Sequence, residues 1–157
     1  GKNILGKLSH KDVLRLSGYD NYLRHIITSY SLQDNILFLG SLSAVQMKEE
    51  FLRTNVFVLP SAIENSSNTL GEAQLLGTPV IASYVGGNMD MMPFPLNKLM
   101  YRFEEFEVLA QRIIEVFEQD DWEDYTATSQ RVARIRHDKN AIVRDILNIY
   151  SKICNND

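Results

Sequence analysis

Short continuous runs of apolar residues alternate along this chain with longer segments in which apolar residues recur every three or four positions. Three runs are prominent, at residues 36–39, 56–59 and 80–82. They are continuous rather than alternating, which is typical of strands buried on both faces of a parallel sheet. The pattern therefore predicts three parallel strands, and residues 99–103 are a weaker candidate for a fourth.

Helical spacing of apolar residues fills the segments around these runs. It predicts helices over residues 22–30, 45–52, 68–76, 106–117, 122–136 and 140–153. Gly77 follows the third of these helices as a plausible C-cap, and the polar stretch 137–140 predicts a boundary before the last. Right-handed crossovers place helices on both faces of such a sheet. We therefore predict an α/β fold with a Rossmann-like parallel sheet flanked by helices.

Length, charge and cysteine content narrow the class of protein. A chain of 157 residues with a 45% hydrophobic share fits one domain spanning residues 1–157. Its formal net charge of −4, with both signs scattered, argues against nucleic acid as a partner. The single Cys154 permits neither an internal disulfide nor a thiolate metal site, and no apolar run is long enough to span a bilayer. We expect a cytoplasmic protein with no metal and no cofactor.

Small polar residues follow each predicted strand, where ligands bind in open α/β sheets. The segments are 40–42, 60–67 and 83–88. Residues 66–69 could begin a helix whose free N–H groups attract a phosphate, although ordinary helix capping explains the same residues. The loops alone therefore indicate a small anionic ligand only weakly.

Two carboxylates sharpen this interpretation. Glu64 lies in the loop after the second strand, and Glu72 lies in the following helix. An ionised carboxylate only accepts hydrogen bonds, so it suits sugar or ribose hydroxyls and would repel a diphosphate. Thr69 and Glu72 also have capping-box spacing, in which Glu72 would bind only the Thr69 backbone N–H. A helix that begins near Ser67 would instead leave Glu72 free to face a ligand.

Several short motifs follow one another between residue 35 and about residue 90. They are Phe38-Leu39-Gly40, the 56–59 strand with Pro60-Ser61, the two glutamates, Gly77-Thr78-Pro79-Val80-Ile81 and Val85-Gly86-Gly87. In the order and spacing of these motifs, rather than in any one of them, this stretch resembles the C-terminal domain of the GT-B-fold glycosyltransferases of family 4, also called glycosyltransferase group 1.

The resemblance implies roles for the two glutamates. Family members use the first to hold donor-sugar hydroxyls and the second to hold the ribose hydroxyls, which makes Glu64 the catalytic-site carboxylate and Glu72 the nucleotide ligand. The implied reaction transfers a sugar from a nucleoside-diphosphate sugar to a glycan or lipid-linked acceptor, with retention, as in polysaccharide biosynthesis.

The same resemblance implies a larger set of residues around the nucleotide. Backbone N–H groups would cradle the diphosphate, and a turn after the first strand would border the nucleobase. The residues of the cradle are Ser67, Asn68, Thr69 and Leu70, and those of the turn are Ser41 and Leu42.

Other features of the family are expected to lie outside this chain. Its phosphate-binding Arg and Lys precede the segment that begins at Gly1, and its acceptor domain is N-terminal. The resemblance therefore implies a partial donor-binding domain, inactive alone, whose full-length enzyme meets its acceptor through the N-terminal domain and can associate peripherally with a membrane. Residues 65–68 also depart from the usual glycine-rich loop, which leaves the donor sugar open.

Three other functions fit the sequence less well. A nucleotide-sugar epimerase of related fold needs an acid and a base at the sugar ring, and no such pair is evident. A flavodoxin-like binding module of the phospho-receiver kind would have a phosphorylatable Asp after a strand. A dinucleotide oxidoreductase would show G-x-G-x-x-G, which Gly40-Ser41-Leu42 does not continue.

Overall fold

The computed structural model describes residues 18–119 and 122–154. The chain divides into two compact units, residues 1–43 and 44–157. In the described part of the first unit, helix α1 covers Gly18–Ser29, as the apolar spacing predicts. Ser31 then takes a left-handed conformation (φ 54°) as the chain leaves the helix.

The predicted strand at residues 36–39 is wrong. These residues form neither helix nor strand, and all four side chains are exposed. An apolar run becomes a strand only when a neighbouring backbone supplies hydrogen bonds to its N–H and C=O groups. In the described part of the chain no strand pairs with this run.

The second unit contains a three-stranded parallel sheet with the order β1-β2-β3. Strand β1 covers Phe57–Leu59, β2 covers Val80–Ser83 and β3 covers Met100–Tyr101. Val58 pairs with Ile81. The predicted strands at 56–59 and 80–82 are thus confirmed, and the weaker candidate at 99–103 is confirmed in shorter form. The fold is α/β, with a parallel sheet flanked by helices.

Five of the helices of this unit fall where the spacing predicts them. In chain order, the helices of this unit are α2 Ala44–Arg53, α3 Asn68–Leu76, α4 Asn88–Met91, α5 Phe106–Glu118, α6 Glu123–Arg136 and α7 Lys139–Cys154. Helix α4 and a 3-10 turn at Leu96–Leu99 were not predicted, because elements of four residues are too short to show a period. Gly77 ends α3 in the left-handed region (φ 81°), as predicted.

The core lies around β2, whose four residues are all buried. Helix α3 packs against β2 and α6, and α5 also packs on β2. Tyr125 of α6 lies in this core and donates a hydrogen bond to the Leu96 carbonyl at 3.1 Å. Burial raises the pKa of its phenol well above the ordinary value. The core therefore holds α3 between the sheet and α6.

Helix α7 differs from the other described helices of this unit, since none of its side chains is buried. Its predicted apolar stripe is present but exposed, with Ile142 at 43% and Tyr150 at 64% exposure. No helix in the described residues is long and apolar enough to cross a membrane.

Candidate functional site

The loop between β1 and α3 carries Glu64. Ser83, buried at the end of β2, donates a hydrogen bond from its Oγ to the Ser61 carbonyl at 2.6 Å and fixes the start of the loop. The Glu64 carboxylate accepts from the Asn65 N–H at 3.2 Å and, more weakly, from the Ser61 hydroxyl at 3.5 Å. Glu64 is only partly buried. Its side chain is thus oriented by its own loop and remains accessible.

A glycine pair after β2 holds this loop from the other side. Gly86 has a positive φ of 47°, and the Gly87 N–H donates to the Asn65 carbonyl at 2.8 Å. A Cβ on Gly86 would overlap the Glu64 carbonyl oxygen, and one on Gly87 would overlap that of Asn65. Only glycine permits both the left-handed turn and this approach of the two backbones. The sequence indicated a turn here but not its contact with the Glu64 loop.

The N-terminus of α3 follows directly. Ser67 is the N-cap, and its hydroxyl accepts from the Leu70 N–H at 3.2 Å. The first helical hydrogen bond runs from the Gly71 N–H to the Ser67 carbonyl. Within the described residues, the N–H groups of Asn68 and Thr69 have no hydrogen-bond partner. These two donors and the positive end of the helix dipole make the end of α3 attractive to an anion.

The position of the cap also excludes one of the two roles considered for Glu72. Because Ser67 rather than Thr69 caps the helix, the capping-box interpretation of Thr69 and Glu72 is wrong. Glu72 is the fifth residue of α3 and is exposed. It shares a helix face with Asn68, four residues earlier. The carboxylate is therefore free to accept hydrogen bonds from a ligand.

Comparison with known proteins identifies the family. Residues 3–135 match the family described as glycosyl transferases group 1. The chain belongs to this family. The resemblance noted between residues 35 and 90 is thereby confirmed and extended over most of the chain.

Several curated proteins resemble this group 1 domain. An uncharacterized glycosyltransferase of Methanocaldococcus jannaschii is 24% identical over 149 residues, which are 94% of this chain and 38% of that protein. An uncharacterized 41.2 kDa protein in the cps region of Klebsiella pneumoniae is 23% identical over 121 residues, 75% of this chain and 33% of that protein. The gpi3 subunit of phosphatidylinositol N-acetylglucosaminyltransferase of Schizosaccharomyces pombe is 32% identical over 71 residues, 45% of this chain and 16% of that protein. The group 1 domain thus spans well under half of each relative.

Among solved structures, sucrose-phosphate synthase from Thermosynechococcus elongatus is similar in fold. The superposition has a TM-score of 0.74 and 22% identity, and covers 87% of this chain and 35% of that chain. The likeness shows that the α/β arrangement is that of part of a GT-B enzyme.

The other residues predicted to contact the nucleotide differ in their surroundings. Leu70 is fully buried, and its N–H is already engaged by Ser67, so Asn68 and Thr69 are the free donors of the predicted cradle. Ser41 and Leu42 belong to the first unit, where Ser41 is exposed and Leu42 is partly buried. Their contact with a nucleobase stays a prediction.

Two clefts elsewhere on the domain do not include the candidate site residues. Both include Lys98, with Trp122 lining one and Tyr125 the other, and neither includes Glu64 or Glu72. The Lys98 ammonium lies 4.8 Å from the Trp122 ring centroid and 5.1 Å from that of Tyr125, so its charge is already engaged by both aromatic faces. Across residues 18–119 and 122–154, no cluster of three His, Cys, Asp or Glu side chains could hold a metal ion.

Proposed function

We propose that this chain is the donor-binding part of a retaining glycosyltransferase, which transfers a sugar from a nucleoside-diphosphate sugar to a glycan or lipid-linked acceptor. One observation carries the proposal. Along the chain, the free N–H groups at the start of α3 fall between Glu64, in the loop that leads into the helix, and Glu72, on its exposed face. Membership of the group 1 family supports this assignment.

The free N–H donors of α3, Glu72 and Glu64 differ in the part of the donor that each can bind. The N–H donors of Asn68 and Thr69 suit the oxygens of a diphosphate. Glu72 lies five residues beyond the cap, roughly 7.5 Å along the helix axis at the α-helical rise. At that distance its carboxylate can accept hydrogen bonds from ribose hydroxyls without facing the diphosphate directly. Glu64, on the other side of the cap, is assigned to the hydroxyls of the sugar.

Catalysis in this arrangement would come from positioning and charge stabilisation. The end of α3 would stabilise the negative charge that grows on the departing diphosphate, because its donors are fixed before the reaction begins. Glu64 would orient the sugar, and its loop is held by Ser83 and the glycine pair so that little reorganisation is needed. Residues 65–68 would line the sugar and thereby influence donor choice.

The acceptor is proposed to bind a further domain of a longer enzyme. The Schizosaccharomyces pombe relative is named for transfer to phosphatidylinositol, which supports a lipid-linked acceptor over a soluble one. Such an acceptor would bring the enzyme to a membrane from the cytoplasm as a peripheral protein. The chain alone would bind a donor nucleotide without turnover.

A titration followed by two-dimensional 1H–15N NMR tests the proposal, since it detects weak binding residue by residue. We expect one of UDP, GDP or ADP to shift the amide signals of Asn68 and Thr69. Glu72→Ala should weaken that nucleotide about tenfold, which corresponds to a lost hydrogen bond to a charged group.

The matched control is Glu49→Ala, which removes an exposed glutamate from α2. It should leave the affinity unchanged. Absence of shifts at the start of α3 with all three nucleotides would contradict the proposal, and so would equal affinities of the Glu72 and Glu49 variants.

A further inference from the structure

Arg136, at the end of α6, reaches across to two helices of the donor site. Its Nη2 donates to the Gln74 Oε1 of α3 at 2.8 Å, and its Nη1 donates to the Met91 carbonyl of α4 at 3.3 Å. The neighbouring His137 lies against α3, since a Cβ on Gly71 would be 2.6 Å from its Nε2. The end of α6 is therefore in close contact with both helices.

Gln74 completes a closed polar network. It is fully buried, and its Nε2 donates to the same Met91 carbonyl at 2.9 Å. Both ends of the amide are thus bound, one by Arg136 and one by Met91. Met91 in turn accepts two hydrogen bonds on one carbonyl. Such a network fixes the relative position of its helices, because any shift leaves buried polar groups unsatisfied.

The guanidinium of Arg136 is held at a cost in free energy. The Gln74 and Met91 oxygens that accept from Arg136 are neutral, and within the described residues the guanidinium makes no ion pair and its buried Nε has no partner. Burial lowers the pKa of this guanidinium. An apolar side chain would avoid that cost, but it could not donate hydrogen bonds to two acceptors at once, as the planar guanidinium of arginine does.

Helix α4 also contacts the loop that carries Glu64. The Ser66 hydroxyl lies 3.6 Å from the Met91 sulfur in hydrogen-bonding geometry. At the other end of α4, the N–H of its N-cap, Gly87, donates to the Asn65 carbonyl. The loop that carries Glu64 is therefore attached to α4 at two points, whereas the free amides of Asn68 and Thr69 belong to α3.

We infer that Arg136 is a positioning residue for the donor nucleotide, which holds α3 and α4 together through Gln74 and Met91 and so fixes the diphosphate-binding amides relative to the Glu64 loop. Arg136 acts through these residues and does not contact the donor. The inference rests on the proposed function for its ligand, but the restraint itself exists without one.

Hydrogen exchange of the ligand-free chain tests the restraint. The Leu70 amide bonds Ser67, and the Gly87 amide bonds Asn65. In Arg136→Met, both amides should exchange about tenfold faster through local opening, while the Ile81 amide in β2 keeps its exchange rate. Arg136→Lys should restore little of the slow exchange, because an ammonium cannot reproduce the planar arrangement of donors in a guanidinium. Arg134→Met, an exposed arginine of the same helical turn, is the matched control and should change neither amide.

Nucleotide titration of the same variants tests the link to the donor. With UDP, GDP and ADP as probes, Arg136→Met should weaken the nucleotide that binds about three- to tenfold, and Arg134→Met should not. Uniformly faster exchange across the domain, or unchanged exchange at Leu70 and Gly87, would overturn the inference even if a nucleotide binds. Unchanged affinity despite faster local exchange would also overturn it. Failure of all three nucleotides to bind the unmodified chain would instead contradict the proposed function.

Discussion

Helices α3 and α7 show opposite relations between sequence pattern and packing. Helix α3 has little helical periodicity, yet Leu70, Gly71, Ala73 and Gln74 are buried in it. Helix α7 has a regular apolar stripe and buries no side chain. The difference arises because α3 is surrounded by β2, α2 and α6, whereas nothing in the described part of the chain covers the stripe of α7. Periodicity predicts that a helix forms, but not which neighbours it has.

The two helices also differ in how firmly they are held in the domain. Helix α3 carries the proposed donor-binding groups, and it is fixed by its cap, by the core and by the Gln74–Arg136 network. Helix α7 buries no side chain in the described residues, so its loss should matter less. Substitutions at matched positions in the two regions can test this contrast.

The largest effect is expected from Gly86→Ala. The new Cβ would overlap the Glu64 carbonyl and occupy a residue with positive φ, so the free energy of unfolding should fall by more than about 2 kcal/mol. Urea denaturation followed by circular dichroism measures this change. Gly18→Ala is the control, because a Cβ there meets no atom of the described residues within 4 Å. Similar stabilities of the two variants would contradict the contact between the glycine turn and the Glu64 loop.

An intermediate effect is expected from Ser67→Ala. It removes the hydroxyl that caps α3 and should lower the free energy of unfolding by about 1 kcal/mol. Because α3 is part of the core, the loss should appear in the cooperative unfolding of the whole domain. Thermal or urea unfolding reports it, and an unchanged midpoint would argue against Ser67 as the cap.

The smallest effect is expected from Asp138→Ala at the start of α7. Asp138 Oδ1 accepts from the Asn140 and Ala141 N–H groups at 2.9 and 3.2 Å, so it caps α7 much as Ser67 caps α3. Since α7 buries nothing, the variant should fray that helix and lower the global free energy of unfolding by less than about 0.5 kcal/mol. Hydrogen exchange separates local from global loss. An effect as large as that of Ser67→Ala would remove the contrast between the two helices.

Much of the fold follows from local patterns in the sequence. The strands at Phe57–Leu59 and Val80–Ser83 were predicted by continuous apolar runs, and Gly77 predicted the end of α3. The run at 36–39 has the same pattern and is not a strand, because strand formation depends on a partner that no local pattern reveals. The four-residue helix α4 was missed for lack of length.

The candidate site was predictable where its residues are close in sequence. Glu64, Ser67 and Glu72 fall within one loop and the first turns of one helix, and their roles came from the family resemblance. Arg136 and Gln74 are 62 positions apart, and neither belongs to a motif. A buried glutamine bonded to an arginine from a distant helix depends on tertiary packing, and spacing along the chain does not predict it.

The central claim is that Glu72 holds the ribose of a nucleotide bound at the start of α3. It is tested most directly by measuring the affinity of the preferred nucleoside diphosphate and of its 2′,3′-dideoxy counterpart, for both the unmodified chain and Glu72→Ala. If Glu72 holds the ribose, the unmodified chain should prefer the ribonucleotide about tenfold, and the variant should bind both nucleotides equally. A preference that survives intact in Glu72→Ala would contradict the claim.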